Sequence, residues 1–160
     1  MDIRSARPSD LDKVWEILEP VIRAGDSYAL PQDLSKREAL DYWFAEGHEV
    51  FVADDGEAIV GTYFLQPNQR GGGRHVANCG YVTAGWATGR GVARAMCSHS
   101  LAHARLRGYS AMQFNFVVST NDRAVRLWQS LGFEIVGRLP KAFRHPSKGL
   151  VDAVVMYQIL

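Results

Sequence analysis

Leu11, Val14, Trp15, Leu18, Val21 and Ile22 recur at three- and four-residue spacing and make a single apolar stripe, which predicts a helix ending near Gly25. Ile3 to Ala6 reads as a short strand before it. Ser9, with Asp12 three residues on, predicts a capping-box-like helix start. Beyond a loop with Pro31, Leu40, Trp43 and Phe44 anchor a second helix over Ser35 to Ala45. Then strands begin. Val50 to Ala53 and Ala58 to Leu65 flank Asp54-Asp55-Gly56-Glu57, turn chemistry that closes a hairpin. Gln66 to Arg74 is a loop whose Gly71-Gly72-Gly73 reads as a hairpin tip, and His75 to Thr83 is the next strand. Val92, Ala93, Met96, Cys97, Leu101 and Ala104 mark a helix closing near Gly108, followed by a strand over Ala111 to Val118. Ala124, Leu127, Trp128 and Leu131 staple a helix over Asn121 to Leu131, and Gly132 stops it. Phe133 to Arg138 and Val151 to Ile159 are the last strands, joined by a loop with Pro140, Pro146 and Gly149. The order β-α-α-β-β-β-α-β-α-β-β predicts an α/β (α+β) domain, a mixed sheet with helices on its faces.

Length and composition add limits. At 160 residues, 47% hydrophobic and 22% charged, with no internal repeat or linker, one domain over 1–160 is expected. The apolar runs fall far short of the roughly 20 residues that cross a bilayer, and Met1-Asp2-Ile3-Arg4 lacks a secretory apolar stretch. A cytoplasmic protein without a membrane partner is expected. Cys79 and Cys97 sit in a predicted strand and helix, without zinc-ligand spacing, so both are expected reduced and no metal is expected. His99 and His103 lie four apart on a helix with no third ligand in view and read as a wet helix face.

The net charge of +1 hides an asymmetry: residues 1–57 sum to −8 and residues 58–160 to +9. From Ala58 to Asn121 there is no Asp or Glu, but there are Arg70, Arg74, Arg90, Arg94, Arg105 and Arg107. A multiply phosphorylated ligand suits such a segment. Within it, Thr88-Gly89-Arg90-Gly91-Val92-Ala93 runs from a strand into a helix. Gly89 and Gly91 allow close backbone approach, and the helix start offers unpaired N–H groups to a pyrophosphate. The third glycine of a dinucleotide fingerprint and the Gly-Lys-Ser/Thr ending of an NTPase loop are both absent. Nucleic acid ranks last as a partner, because no aromatic-basic interleaving exceeds what the sheet core requires.

Two motifs together identify a family. Thr88 to Ala93 resembles the Gln/Arg-x-x-Gly-x-Gly/Ala motif of the GNAT superfamily of acetyl-CoA-dependent N-acetyltransferases, except at its first position. Asn121-x-x-Ala124-x-x-Leu127-Trp128-x-x-Leu131-Gly132-Phe133 resembles that superfamily's Asn-x-x-Ala-x-x-Leu-Tyr-x-x-x-Gly-Phe. The resemblance covers nearly the whole chain. It implies a mixed, mostly antiparallel sheet of about seven strands with a splay between the fourth and fifth, and about four helices. It also implies acetyl-CoA as acetyl donor. Tyr81, Val82 and Thr83 would offer backbone groups to the pantetheine arm, Thr88, Gly89, Arg90, Gly91, Val92 and Ala93 would hold the pyrophosphate, and Asn121 would contact the cofactor near its thiol end. Asn78 through Phe143 resembles the subgroup with fungal acetyltransferases acting on toxic proline analogues, which implies a small amino-acid-like amine as acceptor. Acetylation of a protein N-terminus or lysine, or a non-catalytic acetyl-CoA-binding module, are the alternatives. Dimers are common among look-alikes, so a homodimer is carried as an expectation.

The departures concern catalysis. Trp128 stands where relatives often place a Tyr that protonates the leaving thiolate; an indole N–H donates a hydrogen bond but no proton. Thr88 replaces Gln or Arg, which leaves Arg90 or Arg94 to reach the phosphates. No carboxylate lies on the fourth or fifth strand, so the incoming ammonium loses its proton to a relayed water, to an imported group, or by its own equilibrium. His75 begins its strand too far away. Asn78 and Asn115 interrupt otherwise mostly apolar neighbouring strands: they bond each other or the splayed backbone, or they orient a substrate carboxylate and a water, which makes them the catalytic candidates. Cys79 lacks an evident base. Arg144 is placed for a substrate carboxylate or on a surface loop, and Tyr28 and Tyr42 are placed to line the pocket.

Overall fold

In the computed structural model, which describes residues 1–160, seven strands form one sheet: Asp2–Ser5 (β1), Glu49–Asp54 (β2), Ile59–Pro67 (β3), Val76–Thr83 (β4), Ala111–Val118 (β5), Glu134–His145 (β6) and Gly149–Ile159 (β7). Four helices join them: Leu11–Ala24 (α1), Lys36–Trp43 (α2), Val92–Leu106 (α3) and Asp122–Ser130 (α4). The spatial order is β1-β2-β3-β4-β5-β7-β6, and β4 with β5 is the only parallel pair. Element order and sheet class are those the hydrophobic pattern predicts. Val82 packs among Leu18, Val21, Tyr28, Ala39 and Trp43 beneath α1 and α2, whereas Tyr81 reaches Ser100 of α3 on the opposite face. That inversion follows from strand alternation.

The start of α1 differs from the predicted capping box. Asp10, not Ser9, makes the capping bond, and it closes the 3-10 turn Pro8–Asp10 that leads into α1: its carboxylate accepts from the Arg7 N–H at 2.7 Å and pairs with Arg4 at 2.8 and 3.1 Å. Arg4 lies on β1, so this cap ties the sheet edge to the helix, a link that local spacing cannot reveal. The Arg4 guanidinium holds the Asp10 carboxyl below the usual carboxylate range. Its contribution is present at neutral pH and is lost as pH falls through that depressed value. Asp10 is 6% exposed, so Asp10→Ala is expected to cost about 2–3 kcal/mol, read as a lower denaturant midpoint with an unchanged slope.

Two further expectations change. The predicted loop at Pro140 is strand: β6 runs to His145 on the sheet edge, with a bulge between Leu139 and Phe143. An edge strand tolerates the N–H that Pro140 lacks, and Lys141, at φ 52°, donates its own N–H to Asp152 at 2.9 Å. The predicted wet face at His99 and His103 is half-buried against the sheet. The Tyr63 hydroxyl lies 2.7 Å from His99, and Glu49 lies 2.8 Å from His103.

Candidate active site

The sheet opens at its centre. β4 and β5 pair only at Val76–Ala111 and Ala77–Met112. Alternation in the antiparallel β3–β4 ladder turns the N–H and C=O of Asn78, Gly80 and Val82 toward β3, and those of Cys79, Tyr81 and Thr83 toward β5. Beyond Ala77 the latter groups therefore face a gap. One more parallel step would give the Gln113 carbonyl to the Cys79 N–H. Instead the Asn78 side chain takes it, Nδ2 donating at 3.0 Å, while Asn78 Oδ1 accepts from Gln66 at 3.3 Å. Asn78 thus occupies the point where the strands part. Across the gap, Asn115 accepts from Gln113 Nε2 at 2.9 Å and donates to Asn68 at 2.6 Å. The two asparagines do not bond each other.

After β4, a 3-10 turn over Gly85–Ala87 leads through Thr88 to α3. Gly89 (φ 84°) and Gly91 (φ 78°) are left-handed, a conformation that costs other residues strain, and a Cβ on either would stand in open space. Gly91 supplies no side-chain cap, and the N–H groups of Gly89, Gly91, Val92, Ala93 and Arg94 find no acceptor within the chain. Five free donors at a helix start with room in front of them fit a pyrophosphate. Arg94 and Arg123 line the same cavity, whereas Arg90 pairs with Asp55 at 3.0 Å.

A groove of about 730 Å³ joins this turn to the β4–β5 gap and passes to the face beneath α1 and α2, where Tyr28, Tyr42 and Phe64 line it. Asn121 caps α4, its Oδ1 accepting from the Ala124 N–H at 3.4 Å, and also lines the groove. The family model that matches this chain, the acetyltransferase (GNAT) family, spans residues 12–133 and so takes in α1 through α4, the gap and the glycine turn.

The chain belongs to the GNAT acetyltransferase family.

It is accordingly an acyltransferase, a GNAT N-acetyltransferase with acetyl-CoA as donor. A GCN5-related N-acetyltransferase from Kribbella flavida is 36% identical, with a TM-score of 0.93 over 99% of this chain and 97% of that one. N-acetyltransferase aca1 of Schizosaccharomyces pombe is 25% identical over 151 residues, 84% of this chain and 72% of that protein. A GNAT superfamily phosphinothricin acetyltransferase from Sinorhizobium meliloti, solved in complex with acetyl-CoA, shares the fold at 20% identity (TM-score 0.87; 99% of this chain, 88% of that one).

Most of the predicted GNAT site residues come together along the groove, with adjustments. Val82 gives its backbone groups to Thr62 of β3, so the groups that face the gap belong to Tyr81 and Thr83, joined by Cys79, and of Tyr81 it is the N–H that stays free. Trp128 is 8% exposed, lies 5.1 Å from the Tyr81 ring and 5.3 Å from Phe114, and no acceptor reaches its indole N–H. Cys79 is 8% exposed with no base beside it, and burial pushes its thiol above the ordinary range, which disfavours a thiolate there. Both cysteines are free, and no group of three or more His, Cys, Asp or Glu is placed to hold a metal. His75 is exposed at the closed end of β4, and Arg144 is exposed on β6; neither lines the groove. Tyr28 donates its hydroxyl to the gap-facing Tyr81 carbonyl at 2.9 Å. It fits there because Gly80 has no side chain: a Cβ would stand 2.6 Å from Phe64 and 3.0 Å from that hydroxyl. Arg123 was not legible as a site residue, since an Arg in the first turn of a helix carries no signal until the groove shows which way it faces.

Proposed function

We infer that this acetyltransferase transfers the acetyl group to the amine of a small amino-acid-like molecule, by direct attack in a ternary complex. The observation that carries the reading is the groove itself. It begins at free N–H groups on the α3 start, passes the open edge of β4, and ends in a chamber on the opposite face of the sheet. The donor and the amine then meet at the gap from opposite sides. Bound acetyl-CoA supplies a thioester carbonyl open to attack by a neutral amine.

The chain's own residues divide the remaining tasks. Gly89, Gly91, Val92 and Ala93 present N–H groups to the pyrophosphate, with Arg94 and Arg123 adding charge and Thr88 at the edge. Arg90, held by Asp55, supports the turn from behind. Tyr81 and Thr83 offer backbone groups to the pantetheine arm, and Asn121 stands at the start of α4 toward the thiol end. Asn78 and Asn115 orient the acceptor. As the N–C bond forms and the C–S bond breaks, the amine gives up one proton and the thiolate can take one up, so the transfer is proton-neutral.

No Asp, Glu, His or Lys lines the groove, so the ammonium loses its first proton to water. The expected pH profile follows: kcat/KM rises tenfold per pH unit up to the acceptor's own pKa and is flat beyond it. Acceptors of different basicity should shift the break point with them. A fixed break near pH 6–7, the range of an unperturbed histidine, would place a base in the site. A thermal-shift titration with acetyl-CoA, followed by thiol release over a panel of amines, tests the function. Saturable stabilisation and amine-dependent release are expected; no stabilisation at saturating acetyl-CoA would overturn the reading.

A further inference from the structure

The acceptor chamber is uncharged, and that narrows what enters it. Beneath α1 and α2 the groove ends among Tyr28, Tyr42, Phe64, Asn78 and Asn115. The phenols stay protonated near neutral pH because burial pushes both tyrosine hydroxyls upward. The two cations of the groove, Arg94 and Arg123, belong to α3 and α4 on the donor side, and Arg94 is held there by Ser130 at 2.9 Å. A second ionic group on the acceptor, of either sign, would therefore meet no counter-ion on these walls.

The hydrogen-bonding capacity of the chamber is also one-sided. The Gln113 backbone carbonyl fixes the sense of the Asn78 amide, since only its nitrogen can face a carbonyl. Its oxygen is then taken by Gln66, and one N–H remains unspent. Asn115 accepts from the Gln113 amide and donates to the Asn68 amide, partners that both carry a donor and an acceptor, so only Asn78 has its sense fixed by the backbone. Gln113 and Gln66 thus make Asn78 a fixed neutral donor, with the Asn115 amide beside it. Such a donor suits a carbonyl oxygen, while the rings of Tyr28, Tyr42 and Phe64 suit an uncharged side chain.

We propose that the acceptor is an α-amino amide: one reacting amine, one neutral carbonyl for Asn78 and Asn115, and an apolar side chain for the aromatic wall. This rests on the small-amine reading above and names the substrate class within it. A free amino acid presents its carboxylate to donors that carry no positive charge, and a diamine presents a second ammonium to a chamber without a carboxylate.

The test is thiol release at saturating acetyl-CoA with leucinamide, leucine and 1,4-diaminobutane. Rates are expressed per neutral amine, because the amine of the amide is the less basic one. Leucinamide is expected to exceed both others in kcat/KM by at least about tenfold, the lower end of what one desolvated group contributes to discrimination. Asn115→Asp, which adds a charge without changing size, should erase the preference over leucinamide's diamine rival and raise KM for leucinamide more than it lowers kcat. Equal rates, or a preference for leucine or the diamine, would overturn the amide assignment while leaving the small-amine reading intact. Amine-independent release, or none with any of the three although acetyl-CoA stabilises the protein, would overturn both.

Discussion

Gly91→Asp is expected to abolish acetyl-CoA binding in a protein that still folds. Position 91 has a left-handed φ of 78° and open space where a Cβ would stand, so a short polar side chain meets strain but no clash. That open space is the volume in front of the free N–H groups of Gly89, Gly91, Val92, Ala93 and Arg94. A carboxylate there takes the place of a phosphate and repels what remains. Two like charges about 4 Å apart at an effective dielectric near 20 cost about 4 kcal/mol, roughly a thousandfold in affinity. Calorimetric titration against acetyl-CoA, with the circular dichroism spectrum as control for folding, reads both halves of the prediction. Near-normal affinity in the folded variant would remove the turn from the binding site.

Asn78→Ala should instead strike turnover. The wild-type side chain holds the Gln113 carbonyl that one more step of the parallel ladder would give to Cys79. Without it, β4 and β5 are free to pair one residue further and narrow the gap where amine and thioester meet. A misplacement of about 1 Å at a reacting centre costs on the order of a hundredfold in rate. kcat is expected to fall by that order, with acetyl-CoA affinity within a few-fold because the pyrophosphate turn lies elsewhere. Hydrogen exchange supplies the structural readout: the Cys79 amide should become protected in the variant. An unchanged rate and an unprotected Cys79 amide would contradict the role.

The helices and strands were legible wherever a local pattern decides them. The stripe from Leu11 to Ile22 gave α1, and Gly25 and Gly132 marked helix ends because a left-handed residue is required there (φ 65° and 99°). The site was legible where it too is local, in the glycine turn and the Asn121 helix. What escaped depends on partners distant in sequence. Asp10 closes the turn before α1 while Arg4 on the sheet edge holds it, and β6 continues past Pro140 only because it is an edge strand. His99 and His103 leave solvent because Tyr63 and Glu49 come up beneath them. Asn78 and Asn115 stood out as amides in apolar strands, but their separate partners, Gln66, Gln113 and Asn68, required the register of three strands.

Direct transfer within a ternary complex is the central claim, and the groove's chemistry makes the competing route concrete: an acetyl group parked on Cys79, the only thiol that lines it. Initial velocities measured over a matrix of acetyl-CoA and amine concentrations separate the two. Intersecting double-reciprocal lines are predicted, with no acetylated protein after incubation with acetyl-CoA alone. Parallel lines accompanied by an acetyl adduct on Cys79 would contradict the account.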